Sequence, residues 1–490
     1  MRSYPIGTVL VSVLCLAVAG CGSSPDASVP PAEPPPAAGV WLHPGDDCQR
    51  AIDAHGEGET FRFAPGVYRE QSLVPRRGQS FIGEPGAVLC GARVLDGARL
   101  DGGDWVFDGQ TQQGQAHGET LPGYERVRHP EDLFIDGAPL RHVADRAQLA
   151  PGAWWFDYDA DRIWLRDDPR GRMVEASATR LAFWGTADDV VVRGLVVERY
   201  ANQAQVGAIG GQFRGRRWTV VECEVRLNHG LGVGMDDGWE LRGSNIHHNG
   251  QMGVGGNGSD LLVADNEIAF NNALGFMPGW EAGGTKWALT TRLTVRDNWC
   301  HDNRGPGLWT DIDNIDTLYE RNRVERNANE GIVHEISYRA VIRDNLVVDN
   351  GWADPMGRAW LWNAGIGVHA SLDVEVHGNE LRGNFNGIVA IQQERGAGAH
   401  GPHLVANLWV HDNRVHQTGV AVPWYNGASG AVQDVGDTAI FTSRGNRWEG
   451  NQYWLGTNHH AFAWMNAWRR LDEWHGYGND TDVVAPIWNG

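Results

Sequence analysis

The chain has 490 residues and a net charge of −20, which argues against a nucleic-acid partner, because phosphates demand a basic surface. The same charge disfavours a polyanionic glycan unless a cation stands between the two. With 65 glycines and 42% hydrophobic residues, and no long segment apolar at helical spacing, the composition suits short strands punctuated by turns.

Two usages stand out. There are 23 tryptophans, whose flat faces can stack on sugar rings or fill a wide core. Lys286 is the one lysine in the chain; unlike arginine, a desolvated lysine can release a proton.

Residues 1–21 read as an export signal, with Arg2 before an apolar run over Thr8–Val18 that is too short to span a bilayer. Val18-Ala19-Gly20-Cys21 resembles a bacterial lipoprotein box, which implies lipidation of Cys21 and a membrane-anchored, extracytoplasmic protein. Residues 22–38 are a Pro/Ala/Ser tether with no capacity for a core. Four cysteines follow (Cys48, Cys90, Cys223 and Cys300); export permits disulfides, and Cys48–Cys90 is the pair to test. No Cys/His spacing suits a structural zinc.

Residues 39–99 hold a short helix over Cys48–His55 and then strand-length runs. Ala64-Pro65-Gly66-Val67-Tyr68 resembles the PGxY opening of pectate-lyase-like β-helix proteins; a helix here would cap the exposed strand edges of a solenoid. Residues 100–182 interrupt the pattern with antiparallel hairpin strands, turning at Asp159-Ala160-Asp161. This is read as an inserted β-subdomain, whose Trp154 and Trp155 suit core packing, with the floor of a sugar subsite as the alternative.

Over residues 183–447 a repeat is evident. Asn298 recurs as Asn322, Asn303 as Asn327, Gly307 as Gly331 and Leu308 as Ile332. Asparagine pairs five residues apart mark successive copies, with a gap of four for Asn245…Asn249, and each is followed by a glycine and a short apolar strand. Such periodicity is the mark of a solenoid, with asparagines at left-handed corners and their side chains hydrogen-bonded along the stack. The pattern resembles the right-handed parallel β-helix of pectate-lyase-like proteins, over roughly residues 40–450. The expected fold is thus all-β: a right-handed parallel β-helix with an N-terminal cap helix and an inserted antiparallel β-subdomain. Lyases, hydrolases and epimerases share that scaffold. Residues 448–490 leave the repeat; a helix over Ala463–Trp474 is expected to plug the C-terminal end.

In such a fold, side chains alternate inward and outward and equivalent residues stack from coil to coil. Counting from the repeat glycine places Leu308, Thr310 and Ile312 inside, and Trp309, Asp311 and Asp313 outside. The fourth residue after each glycine forms an external column: Asp236, Asn257, Asp311, Glu335, His369. Asp311 and Glu335 fall on consecutive coils, so their carboxyls are expected roughly 5 Å apart, a spacing that glycoside hydrolysis uses. His334 is expected in the core.

The excursion Gly279–Trp287 is expected to lean over this wall as a loop, bringing Glu281, Lys286 and Trp287 to it. The excursion Gly351–Asn363 supplies Trp360 and Trp362 opposite. The candidate catalytic residues are therefore Asp311, Asp313, Glu335, Glu281 and Lys286, with Trp309, Trp287, His369, Trp360 and Trp362 contacting a glycan. The first reading is a glycoside hydrolase needing no cofactor and acting on a polysaccharide or oligosaccharide. The second is a lyase or epimerase in which Lys286 is the base and Ca2+, held by Asp311, Asp313 and Glu335, neutralises a uronate. The third is a glycan-binding or envelope protein without catalysis.

Overall fold

The computed structural model describes residues 38–357, 360–417, 426–456 and 459–482. The export signal, Cys21 and the tether up to residue 37 lie outside these. Among the described residues, three long sheets of 13, 12 and 12 strands run the length of the molecule. Each coil contributes one short strand to each sheet. Thr294–Arg296, Trp299–His301 and Leu308–Asp311 make one coil; Thr317–Glu320, Arg323–Glu325 and Ile332–Glu335 make the next. Neighbouring coils pair in parallel: Cys300 on Val324 in one sheet, Thr310 on His334 in another.

The interior is one continuous apolar column. Val295, Cys300, Leu308, Val324 and Ile332 are among its fully buried members, and Trp218 stacks on Trp239 with ring centroids 4.8 Å apart. Helix Cys48–Ala54 closes the N-terminal end, burying Cys48 and Ile52, and its cap residue Asp47 accepts a hydrogen bond from the Arg50 amide at 3.0 Å. At the other end, Trp464 and Trp474 seal the column. The expected helix over Ala463–Trp474 is instead a hairpin, Phe462–Trp464 against Ala467–Arg469, followed by helix Leu471–Gly476. Phe462–Trp464 extends the third sheet in parallel with Ser429–Gln433, and Ala467–Arg469 folds back antiparallel to cover its edge.

Between Ala92 and Ser177 the pairing turns mainly antiparallel, in sheets of four and five strands with a separate core around Leu133, Trp154, Phe156 and Ile163. Trp154 is fully buried there.

Two asparagine ladders bind coil to coil. Asn298 Nδ2 donates to Asn322 Oδ1 at 3.0 Å, Asn322 Nδ2 to Asn345 Oδ1 at 3.0 Å, and each also donates to a backbone carbonyl of the coil before. Asn303, Asn327 and Asn350 repeat the pattern at the next corner. The left-handed residue is not the asparagine but the one before it: Asp297 (φ 57°), Asp302 (φ 53°), Arg321 (φ 51°), Arg326 (φ 49°). That residue turns the chain, which aims the following amide inward at the ladder. The irregular Asn245…Asn249 gap has the same cause. Ser244, not Asn245, holds the ladder position, accepting from Cys223 N and donating its own N–H to Asn266 Oδ1.

The four described cysteines are free and buried, so Cys48 and Cys90 do not pair. Cys48 opens the cap helix with its sulfur toward Asp46 O, whereas the Cys90 sulfur faces Ala92 O and Arg69. Burial pushes the Cys48 thiol up to about 12.

Candidate functional site

The third sheet forms a wall in which the counted register holds. Asp311 pairs with Glu335 and Glu335 with His369; one step back, Trp309 pairs with Val333 and Val333 with Gly367. The repeat glycines allow this stacking. A Cβ on Gly307 would lie 2.7 Å from both Asn327 Nδ2 and Gly331 O, so a larger residue would displace the ladder. Gly367 makes room of another kind. A Cβ there would lie 2.8 Å from His369 Nε2, so its bareness lets the imidazole fold across the wall.

Although Trp309 and Asp311 face outward, they are only 5% and 6% exposed. Helix Pro278–Glu281 and the excursions after Asn350 and Gln392 cover them. Between wall and covers lies a cavity of about 220 Å3. Its floor is Trp309, Asp311, Val333, Glu335 and His369; Pro278, Glu330 and Trp362 close it on one side, Gln393 and Arg395 on another.

The charges are paired individually. Lys286 Nζ lies 2.8 Å from Asp311 Oδ2, 3.4 Å from the Trp280 carbonyl and 4.1 Å above the Trp309 ring. Asp311 Oδ1 is buried and has no hydrogen-bond partner among the described residues. Arg395 Nη1 donates to Glu335 Oε1 at 2.7 Å. Burial and the neighbouring Glu335 carboxylate raise the Asp311 carboxyl above the usual aspartate range, against the opposing pull of Lys286. Glu330 is buried and accepts the Asn363 N–H at 3.1 Å. The Trp362 ring meets His369 edge-on at 4.9 Å.

Several expected members stand elsewhere. Ile312 and Asp313 are left-handed (φ 69° and 55°), so the strand ends at Asp311 and the alternation stops: Ile312 is exposed. Asp313 accepts from His403 Nε2 at 2.8 Å and from Ala399 N at 3.2 Å, clasping the hairpin beyond Arg395 instead of facing the cavity. Burial alone would lift its carboxyl, but these donors hold it below the ordinary value. Trp287 is fully buried in the solenoid core, because Gly283–Thr291 is a strand of the wall and not a loop; alternation puts Lys286 out and Trp287 in. The Glu281 carboxylate takes a hydrogen bond from Gln205 and does not line the cavity. Trp360 packs on Trp468 at 4.9 Å and does not line it either. Among the described residues no group of three or more His, Cys, Asp or Glu could hold a metal ion; Asp313 has turned away from Asp311 and Glu335.

Behind the wall, His334 is in the core as expected. Its Nε2–H donates to Tyr338 O at 3.3 Å, so Nδ1 accepts from Thr310 Oγ1 at 2.7 Å, and Tyr319 donates to Thr310 at 3.2 Å. Burial pushes its imidazole down to about 4.

Arg395, Gln393 and Glu330 line the cavity although the repeat does not point to them. A signal for the first two existed: Asn379 bonds to Asn413, 34 residues on, so that coil carries an excursion as long as the one after Asn345.

Residues 208–381 match the family described as "Right handed beta helix region". The described residues fold as a right-handed parallel β-helix. A search of the curated proteins finds no match. Among solved structures, the β-helix resembles XylC in complex with xylose at 15% identity and a TM-score of 0.55, over 79% of this chain and 66%, just under two thirds, of that one. A glycoside hydrolase matches at 10% identity and a TM-score of 0.42 over 84% and 96% of the two chains. The A-module of the Azotobacter vinelandii mannuronan C-5 epimerase AlgE6 matches at 15% identity and a TM-score of 0.46, over 85% and 91%. At these identities the likeness is one of fold.

Proposed function

We propose that this protein is an extracytoplasmic glycoside hydrolase whose catalytic pair is Asp311 and Glu335. One observation carries the reading: carboxyls from adjacent coils, each with its own cation, open on a single cavity with a tryptophan floor. Adjacent coils stand roughly 4.8 Å apart, which suits the shorter carboxyl spacing of retaining enzymes. XylC, of the same fold, was solved with xylose bound, which accords with a sugar in the cavity. The lipobox-like Val18–Cys21 supports an exported, lipid-anchored protein.

The two carboxyls differ. Asp311, lifted by burial and by Glu335, carries a proton more readily; Glu335 pairs with the Arg395 guanidinium. Asp311 is accordingly the acid: its proton passes to the glycosidic oxygen as the bond from that oxygen to the anomeric carbon breaks. The Glu335 carboxylate bonds to the anomeric carbon. Asp311, now ionised, then takes a proton from the water that displaces Glu335. Trp309 and Trp362 would hold the ring. A lyase or epimerase with Lys286 as base comes second, because the ammonium is engaged by Asp311 and would have to lose its proton beside a carboxylate.

The test is a panel of oligosaccharides and aryl glycosides, following reducing ends and ultraviolet absorbance together. Reducing ends without absorbance are expected. Asp311→Asn and Glu335→Gln should each lower kcat on unactivated glycosides by about 10²–10⁴-fold. Azide should restore the Asp311 variant on an aryl glycoside with a good leaving group. Full activity in either variant, or unsaturated products, would overturn the proposal.

A further inference from the structure

A second cavity, of about 190 Å3, lies at the seam between the inserted subdomain and the solenoid. Its walls are Val127, Leu140 and Leu274; His129, His142 and Arg141 line its polar side, and Tyr124, 44% exposed, lines it too. None of the proposed catalytic residues reaches it.

The polar side is unfinished. Arg126 Nη2–H meets His142 Nε2 at 3.4 Å, so Nε2 accepts and Nδ1 carries the hydrogen. That Nδ1 is buried with no partner among the described residues, as is His129 Nδ1. The His142 ring is fixed by stacking on Trp154 at 4.0 Å, so its N–H cannot swing away to find an acceptor. Burial and the positive charge of Arg126 drive both imidazoles toward the neutral form.

The carboxylates nearby are already answered. Asp132 accepts from His229 Nδ1 at 3.0 Å, and His229 Nε2 donates to Val127 O at 2.9 Å, which makes His229 a cation and Asp132 its partner. Glu131 accepts from Tyr158 at 2.8 Å and from Gly114 N. Arg126 behind His142 and Arg141 on the lining bring two guanidinium charges to the site, with the Glu125 carboxylate held at its rim by Gly123 N.

We infer that this cavity is a second ligand site that takes one carboxylate-bearing sugar ring, a hexuronate unit. The carboxylate would be received by His142 Nδ1–H and the Arg141 guanidinium, His129 Nδ1 would meet a hydroxyl, and Val127, Leu140 and Leu274 would lie against the ring. The volume suits one small ring and not a longer ligand. Leu274 on this cavity and Pro278 on the catalytic one are four residues apart, a span of at most about 14 Å, so one glycan could occupy both. The sugar part rests on the carbohydrate reading above; the carboxylate part rests on the charges alone.

The test is binding without turnover, by calorimetry on the full chain carrying Glu335→Gln, with methyl β-glucuronide, methyl β-glucoside and acetate as probes. The glucuronide is expected to bind at least tenfold tighter than either of the others. Arg141→Ala, at an exposed position, should weaken it about tenfold, and His142→Gln likewise, while Asp311→Asn leaves it unchanged. Equal binding of glucuronide and glucoside would remove the carboxylate; equal binding of acetate would remove the sugar. Insensitivity to Arg141→Ala, or loss with Asp311→Asn, would overturn the site. Because no turnover is read, a failed hydrolase assay leaves this result standing.

Discussion

Lys286 and Asp311, 25 residues apart in the chain, form a buried ion pair of 2.8 Å on neighbouring strands of one wall. The ammonium also caps the Trp309 ring, so one side chain fixes both a carboxylate and the aromatic floor beside it.

This pair yields a pH prediction. Burial and Glu335 raise the Asp311 carboxyl and Lys286 lowers it. With Asp311 as the acid, activity is lost on the alkaline side as its proton leaves. Lys286→Met removes the lowering influence, so the alkaline limb of the kcat/KM profile should move to higher pH while measurable activity remains. Complete loss at every pH would instead make Lys286 the base.

Asp313 is expected to act at one remove. It accepts from His403 and Ala399, and His403 Nδ1 in turn donates to Arg395 O at 3.1 Å, so this clasp holds the arginine that pairs with Glu335. Asp313→Ala should lower kcat about tenfold or more with the thermal midpoint little changed, since a 1 Å misplacement near reacting groups costs on the order of 10²-fold. Asp313→Asn, which keeps an acceptor for one donor, should recover part of the loss. A loss as large as that of Glu335→Gln, with no recovery in Asp313→Asn, would place Asp313 in the chemistry itself.

Stability should depend on ladder position and not on asparagine as such. Asn322 gives its amide to Val295 O and Asn345 Oδ1 and receives two N–H groups from Asn298. Asn322→Ala leaves buried partners unsatisfied and should cost about 3 kcal/mol, read as a lower urea midpoint. Asn245→Ala, one residue off the ladder, should leave the midpoint within about 0.5 kcal/mol of the parent. Equal effects would contradict the ladder as the cause.

The repeat made the β-helix legible, because a solenoid depends on contacts between one coil and the next, and those recur at a fixed spacing. The Asp311–Glu335–His369 column follows from the same regularity: two coils in register bring equivalent residues together whatever the rest of the chain does. Where the backbone leaves that regularity, counting fails. Ile312 and Asp313 turn left-handed, so Asp313 faces His403 and not the cavity. The segment around Lys286 joins the wall as a strand, which sends Trp287 into the core. Trp360 and Trp362 lie two residues apart, yet only the second reaches the cavity, because the first is claimed by Trp468. Arg395 and the His129–His142 pocket depend on which distant excursions fold back onto which coil. Sequence spacing determines contacts within a repeat; packing between excursions is decided by shape and charge in three dimensions, and only the tertiary structure contains that.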